Sequence, residues 1–238
     1  MDKNHSPWLA ELNKDRQPHA HDENIAYEVA IVGGGIAGMV TAYYALTQTE
    51  KTVLLVEATR IAHGATGHNA GQVVDYFEKP FSEIAIEYGL PMAVEGQKAV
   101  TGAWKLVEEI LEETRMRIPF ARFMGYAGCT TMDQLLVHLE NKYQKCAGGL
   151  HVERAMLAQE LIKKENIPTK YHDFCSFIPH AEVLKHLETP HMKYIAALQS
   201  RKGTMNSALF VEKLSDYLLE TYRGRFAIRE HAPVDEVH

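Results

Sequence analysis

Residues 27 to 57 limit the possible folds of this chain more than any other stretch. They read YEVAIV, GGGIAG, an alanine-rich helical run from Met39 to Thr47, then TVLLVE. That order predicts a strand, a helix and a second strand, the βαβ unit that holds a dinucleotide. Gly33 suits the tight strand-to-helix turn, Gly35 lets backbone approach a pyrophosphate, and Gly38 lets helix and strand pack closely. Ile36 and Ala37 then open the helix, and the phosphates sit at its positive end. Glu57 follows Gly38 by nineteen residues, where a carboxylate can accept both ribose hydroxyls and would repel a 2′-phosphate. NADP is therefore disfavoured. A lone G-x-G-x-x-G also occurs in ordinary turns, so the signal lies in the spacing of strand, helix, second strand and terminal acid. At this point FAD and NAD both remain open.

The next segment, Ala58 to Gln72, reads ATRIAHGATGHNAGQ, with small residues at Gly64, Ala65, Gly67, Ala70 and Gly71. Such a loop can press its backbone against a large flat ligand. Together with the glycine turn and the acid at Glu57, it resembles the D-amino-acid oxidase superfamily of FAD-dependent oxidoreductases. The closest flavour is that of the γ-glutamylputrescine, glycine and sarcosine oxidases. Members carry a GA(S/T)GxNxGQ-like loop running from pyrophosphate to flavin. Far downstream, KGTMNSALFVEKLSDYL is similar to the family's late helix start, with Ser207 where proline is usual. The final FAIREHAPVDEV is similar to the strand whose valine, here Val234, lies near the adenine.

The resemblance implies FAD as cofactor and oxidation of a C–N bond in an amine or amino acid, with hydride passing to the flavin. It places Gly33, Gly35, Ile36, Ala37, Gly38, Glu57, Ala58, Arg60, Gly64, Ala65, Thr66, Gly67, His68, Asn69, Gly71, Gln72 and Val234 at the cofactor. Arg60 is expected on the adenine side or at a phosphate, and Asn69 and Gln72 at the flavin or the substrate. His68 occupies a position where some members attach FAD covalently, and the alternative is a histidine that only hydrogen-bonds nearby groups. No catalytic residue is assigned, because those of relatives come largely from regions beyond or unlike this sequence; Tyr126 and Tyr194 are candidates only. Members usually continue well past the last strand, so the chain looks C-terminally truncated.

The implied fold is α/β, a Rossmann-like FAD/NAD(P)-binding domain with a second α+β substrate domain, incomplete here. Residues 1–26 form an arm, with Trp8 as a candidate anchor and a flexible tail as the alternative. Residues 27–90 and 203–238 form the discontinuous nucleotide-binding domain, and 91–202 part of the substrate domain. Two further readings stand beside the flavoenzyme. An NAD-dependent dehydrogenase accounts for the glycine turn and Glu57 but leaves the GATGHNAGQ loop unexplained. A non-catalytic nucleotide-binding fragment would expose an apolar face and self-associate through a truncated sheet edge.

Periodicity predicts a helix over Pro91 to Arg115, a strand over Phe120 to Tyr126 and a helix over Thr131 to Cys146 ended by Gly148 and Gly149. It further predicts a helix over Glu153 to Lys164, a strand over Met192 to Gln199, a helix over Met205 to Thr221 and a strand over Phe226 to Arg229.

Hydrophobic residues make up 46% of the chain and charged ones 24%, the balance of a globular protein rather than a disordered one. A net charge of −6 gives no electrostatic footprint for nucleic acid. No apolar run approaches the ~18 residues that span a bilayer, and the first 26 residues lack an apolar signal core. A cytoplasmic location is the expectation. Cys129, Cys146 and Cys175 are odd in number and widely spaced, so they are read as buried small hydrophobes rather than a disulfide framework. With His138 they match no zinc spacing, and no metal is expected.

Overall fold

The structure is a computed structural model and describes residues 6–20 and 25–236; the first five residues of the expected arm and its positions 21–24 lie outside them. The chain divides into two compact units. One holds residues 1–72, 108–121 and 204–238, and the other holds 73–107 and 122–203. The first division therefore falls after Gln72, upstream of the boundary expected at residue 90.

In the first unit the β-branched run VAIV forms β1 (Val29–Val32), and VLLV forms β2 (Val53–Val56). Between them runs α2 (Ile36–Gln48), preceded in the arm by the single helical turn α1 (Pro7–Ala10). β1 and β2 pair in parallel with Val29 opposite Val53, as a βαβ crossover requires. On the other side of β2 lies β8 (Phe226–Arg229), also parallel, with Val53 opposite Phe226. The sheet order is thus β1-β2-β8, with β1 and β8 at its two edges. Helix α7 (Ser207–Thr221) packs beside α2. Met39, Ala42 and Leu46 of α2, Phe210, Val211, Leu214 and Leu218 of α7, and Val53, Leu55 and Ile228 of the sheet are buried, and they make this unit's core.

The second unit is built on a five-stranded mixed sheet of order β3-β7-β5-β6, with β4 also on β7. Its strands are β3 (Gln72–Val74), β4 (Phe120–Cys129), β5 (Ala155–Ala158), β6 (Cys175–Ile178) and β7 (Ala196–Met205). Its helices are α3 (Phe81–Tyr88), the first part of α4 (Leu90–Thr114), α5 (Met132–Ala147) and α6 (His180–His186). Thr131 caps α5 by accepting the Gln134 amide at 3.3 Å, and Gly149, at φ +80°, follows its end. Leu135 and Leu139 of α5 close over Ala155, Leu157, Ala196 and Leu198 of the sheet.

The sequence expectation of a helix over 153–164 is corrected here. Ala, Met, Leu and Gln favour helix intrinsically, but Ala155 and Leu157 alternate onto one face and are fully buried. β5 also lies between two partners, parallel to β6 and antiparallel to β7. Its ladder on both sides outweighs propensity. The strand expected at 192–199 starts later, at Ala196, and runs on to Met205. Strand β6 and helices α3 and α6 are too short to leave a periodic signature. Of the three cysteines, Cys129 and Cys175 are buried as expected, whereas Cys146 is exposed. Burial pushes the thiols of Cys129 and Cys175 up to about 11, so both stay protonated at neutral pH.

Candidate cofactor site

The glycine turn of the first unit is closed by backbone. Gly33 sits at φ +104°, which an L side chain rarely adopts, and its amide donates to the Val56 carbonyl at 2.8 Å. A Cβ on Gly38 would collide with the Gly33 carbonyl oxygen, so the third glycine is what allows α2 to start flush against β1. A Cβ on Gly35 would come within 2.9 Å of Thr66 Oγ1, so this position keeps open the approach to the start of α2.

Helix α2 has neither a capping side chain nor an acid in its first turn. Its N-terminal amides and positive end therefore depend on groups from outside the helix. One is present: Thr66 Oγ1 accepts the Ile36 amide at 3.0 Å. Ala37 is exposed on the same first turn.

Glu57 closes the turn from the end of β2. Its Oε2 accepts the Gly34 amide at 2.8 Å, and its Oε1 accepts the Thr59 amide at 2.9 Å and the Thr59 hydroxyl at 3.1 Å. A carboxylate has about four acceptor directions, so capacity is left for one ribose hydroxyl, and a second would displace the Thr59 hydroxyl. The chain leaving β8 comes to the same place: the His231 amide donates to Thr59 O and the Ala232 amide to Glu57 O. Val234 lies two residues further on and is 40% exposed.

The loop after Glu57 wraps the start of α2. Ala62, at φ +65°, donates its amide to Gly34 O at 2.9 Å, and a single 3-10 turn covers Ala65–Gly67. Ala58, Gly64, Ala65 and His68 are exposed. His68 Nδ1 pairs with Gly64 O at 2.9 Å, across the 3-10 turn. Asn69 turns inward. Its amide nitrogen donates to Thr66 O at 2.8 Å and to Ser207 Oγ at 2.9 Å, and its Oδ1 accepts the Gly71 amide at 2.6 Å. Its side chain therefore shapes the loop. Gln72 is exposed on the short β3. Arg60 Nη2 donates to Arg16 O at 2.7 Å, and its Nε is buried without a protein partner.

Two supports of this loop had no signal in the sequence. Ser207, at the first position of α7, donates to Thr66 O at 2.6 Å; proline, usual there in the family, could not. Glu230, just past β8, accepts the Ile61 amide at 2.7 Å, the His19 amide at 2.7 Å and both Arg16 terminal nitrogens at 2.7 and 2.8 Å. Burial pulls this carboxyl's pKa up, but the Arg16, Ile61 and His19 hydrogen bonds outweigh that and bring it down to about 2.

The second unit has a cleft of about 1090 Å³ whose walls include Tyr76, Phe77, Phe81 and Leu198, with Lys142 and Lys145 on its α5 side. Burial pushes both ammonium groups below the ordinary lysine range. Among the described residues no helix is long and apolar enough to cross a membrane, and no group of three or more His, Cys, Asp or Glu side chains is placed to hold a metal ion.

Comparison with known proteins adds the context. The model of the family DAO, FAD dependent oxidoreductase, matches residues 28–237. Gamma-glutamylputrescine oxidoreductase of Escherichia coli (strain K12) is 34% identical over 88 residues, which are 37% of this chain and 20% of that protein. Glycine oxidase from Geobacillus kaustophilus superposes with a TM-score of 0.58 at 16% identity, over 89% of this chain and 48% of that one. L-alpha-glycerophosphate oxidase from Mycoplasma pneumoniae, solved with FAD bound, gives a TM-score of 0.57 at 18% identity, over 86% of this chain and 44% of that one. At these identities the structural likeness speaks for the fold. The chain spans about half the length of these solved relatives.

Proposed function

Because the chain belongs to the DAO family of FAD dependent oxidoreductases, we propose that it is the FAD-binding portion of an enzyme that oxidises a C–N bond of an amine or amino acid. The observation that carries this reading is the convergence of the glycine turn, Glu57 and the 58–72 loop on the start of α2. When bound, FAD supplies the hydride acceptor for this chemistry. The residues present fit it. Gly33 makes the turn, Gly38 seats α2 against β1 and Gly35 keeps a side chain out of the pyrophosphate's place, and the amides of Ile36 and Ala37 face it from the positive end of α2. Thr66 Oγ1, already on the Ile36 amide, is the group that shares or yields that donor. Glu57 takes the ribose hydroxyls, and Val234 and Arg60 belong to the adenine side. Nothing in the comparisons favours an NAD-dependent dehydrogenase.

On this reading the first unit is the nucleotide-binding domain and the second the substrate domain, with the amine or amino acid as its small-molecule partner. The contact of His68 Nδ1 with Gly64 O at 2.9 Å supports reading it as a hydrogen-bonding residue of the loop, with covalent attachment to FAD as the alternative. The outer strand β1, with Ala30 exposed and Val32 60% exposed, is where a second copy of this chain would pair. A monodisperse monomer by light scattering would count against that pairing.

The test is an absorbance spectrum of the purified chain, before and after acid precipitation. A band near ~450 nm, released into the supernatant, is the expected result for a noncovalent flavin. A yellow pellet would assign attachment to the chain, with His68 the first residue to replace. A colourless chain that takes up no added FAD would overturn the reading.

A further inference from the structure

We infer that the N-terminal arm is part of the cofactor site's scaffold: Ser6, Trp8 and Leu9 hold the loop from Gly64 to Gln72 in shape, so that retention of the flavin half of the dinucleotide depends on residues remote from it in sequence. This rests on the FAD-binding reading above.

The loop's glycines carry the argument. A glycine-rich loop reads as one that lies bare against a ligand, but two of these glycines face protein. A Cβ on Gly71 would lie 2.5 Å from Trp8 Cζ2 and 2.9 Å from Met205 O. One on Gly67 would lie 2.6 Å from Leu9 Cδ2 and 2.5 Å from Ala62 O. The space that glycine leaves at both positions is filled by the arm, and Gly71 is also at φ +65°. The arm then bonds the carbonyls beside those glycines. Trp8 Nε1 donates to Asn69 O at 2.6 Å, and the Ser6 hydroxyl donates to Gly67 O.

The arm is also anchored away from residues 64–72. Asn206, whose Oδ1 caps α7 by accepting the Leu209 amide at 2.9 Å, donates from Nδ2 to Trp8 O at 3.1 Å and to Glu11 Oε2 at 2.9 Å. Farther along, Arg16 and the His19 amide are held by Glu230, and the Asn13 amide reaches Glu212 at 3.4 Å. None of the α1 residues is fully buried, so the arm adds little to the core. Its ordering is coupled instead to the loop, whose outer carbonyls and small residues it meets.

The test uses the full chain with Trp8→Ala and Trp8→Phe, measuring the affinities for FAD and for ADP and the amide hydrogen exchange of residues 64–72. ADP engages the glycine turn and Glu57 but lacks the flavin half. Trp8→Ala is expected to weaken FAD about tenfold, leave ADP binding unchanged and speed exchange in the loop. Trp8→Phe keeps a ring on Gly71 but loses the donor to Asn69 O, and should fall between. FAD affinity unchanged in Trp8→Ala would overturn the inference, as would loss of FAD and ADP together with faster exchange throughout the first unit. Should the unsubstituted chain bind ADP but no FAD, the cofactor reading fails by itself, and the loop's exchange in Trp8→Ala still decides whether the arm holds it.

Discussion

The turn from Gly33 to Gly38 and the loop from Ala58 to Gln72 meet at the start of α2 but are held by different means. The turn is a backbone object. Within the βαβ unit its contacts are the Gly33 amide on Val56 O, the Gly34 amide on Glu57 and the bare approach of Gly38 to Gly33 O, and the loop adds the Ala62 amide on Gly34 O and Thr66 on the Ile36 amide. The loop is held by side chains from far along the chain: Ser207 on Thr66, Glu230 on Ile61 and Trp8 on Asn69. A local backbone constraint leaves no freedom in which residue may serve, whereas a side-chain latch can be rebuilt from other residues. The turn is therefore the brittle part of the site and the loop the adjustable one.

The largest effect should come from the turn. Gly38→Ala places a methyl group where the Gly33 carbonyl oxygen stands, and the neighbour is backbone that cannot swing away. Overpacking of this kind costs about 3 kcal/mol, and dinucleotide affinity should fall with it. Denaturant unfolding with and without FAD measures both. A variant with unchanged stability would show that α2 can lift off β1, and the turn would then be no more brittle than the loop.

Next comes the carboxylate latch, in which Glu230 is buried and Arg16 nearly so, with side-chain exposures of 0% and 11%. Glu230→Gln leaves the Arg16 guanidinium without its countercharge and should cost about 3 kcal/mol. The pH dependence gives a second measure. The folded pKa of about 2 lies below the ordinary carboxylate value of 4.5, so the latch contributes fully above pH ~4.5 and is lost as pH falls through the folded value. Arg16 and the backbone amides of Ile61 and His19 hold the carboxylate. Burial, then the neighbouring Arg16, lowers the histidine's pKa, so the His19 charge is kept out of the latch at neutral pH. The loss, about 3 kcal/mol from two to three pKa units, should appear as faster exchange in residues 58–72 between pH 4.5 and 2, and Glu230→Gln should flatten that profile.

This difference in construction also explains what the sequence made legible. Gly33, Gly38 and Glu57 could be assigned because each answers to a partner within about thirty residues, at the spacing that a βαβ unit imposes. The positive φ of Gly33 and the close approach of Gly38 to Gly33 O follow the turn and packing roles read for them. Ser207 and Glu230 could not, since their partners lie 141 and 169 positions away and a single hydrogen bond over such a span leaves no periodic trace. Asn69 was visible in the motif but not its direction: the side chain serves the loop's own carbonyls and Ser207. In the second unit, the error over residues 153–164 has the same origin. A four-residue strand takes its identity from β6 and β7 on either side, and its own helix-favouring residues point the other way.

The smallest effect should come from Ser207→Pro, the substitution that restores the residue usual in the family. Asn206 is at φ −72° and ψ 100°, an extended conformation compatible with a following proline, and the first helical position tolerates a missing amide donor. The backbone of α7 should therefore be undisturbed. What is lost is the hydroxyl that donates to Thr66 O and accepts from Asn69. Asn69 keeps Thr66 O at 2.8 Å and Ala65 O at 3.2 Å as acceptors, so the cost should be about 1 kcal/mol, with faster exchange confined to the loop. A Ser207→Pro chain as stable as the original, with unchanged loop protection, would mean that Asn69 and the arm suffice and that the hydroxyl is not part of the latch. Faster exchange extending into Gly33–Gly38 would mean that turn and loop are one cooperative unit.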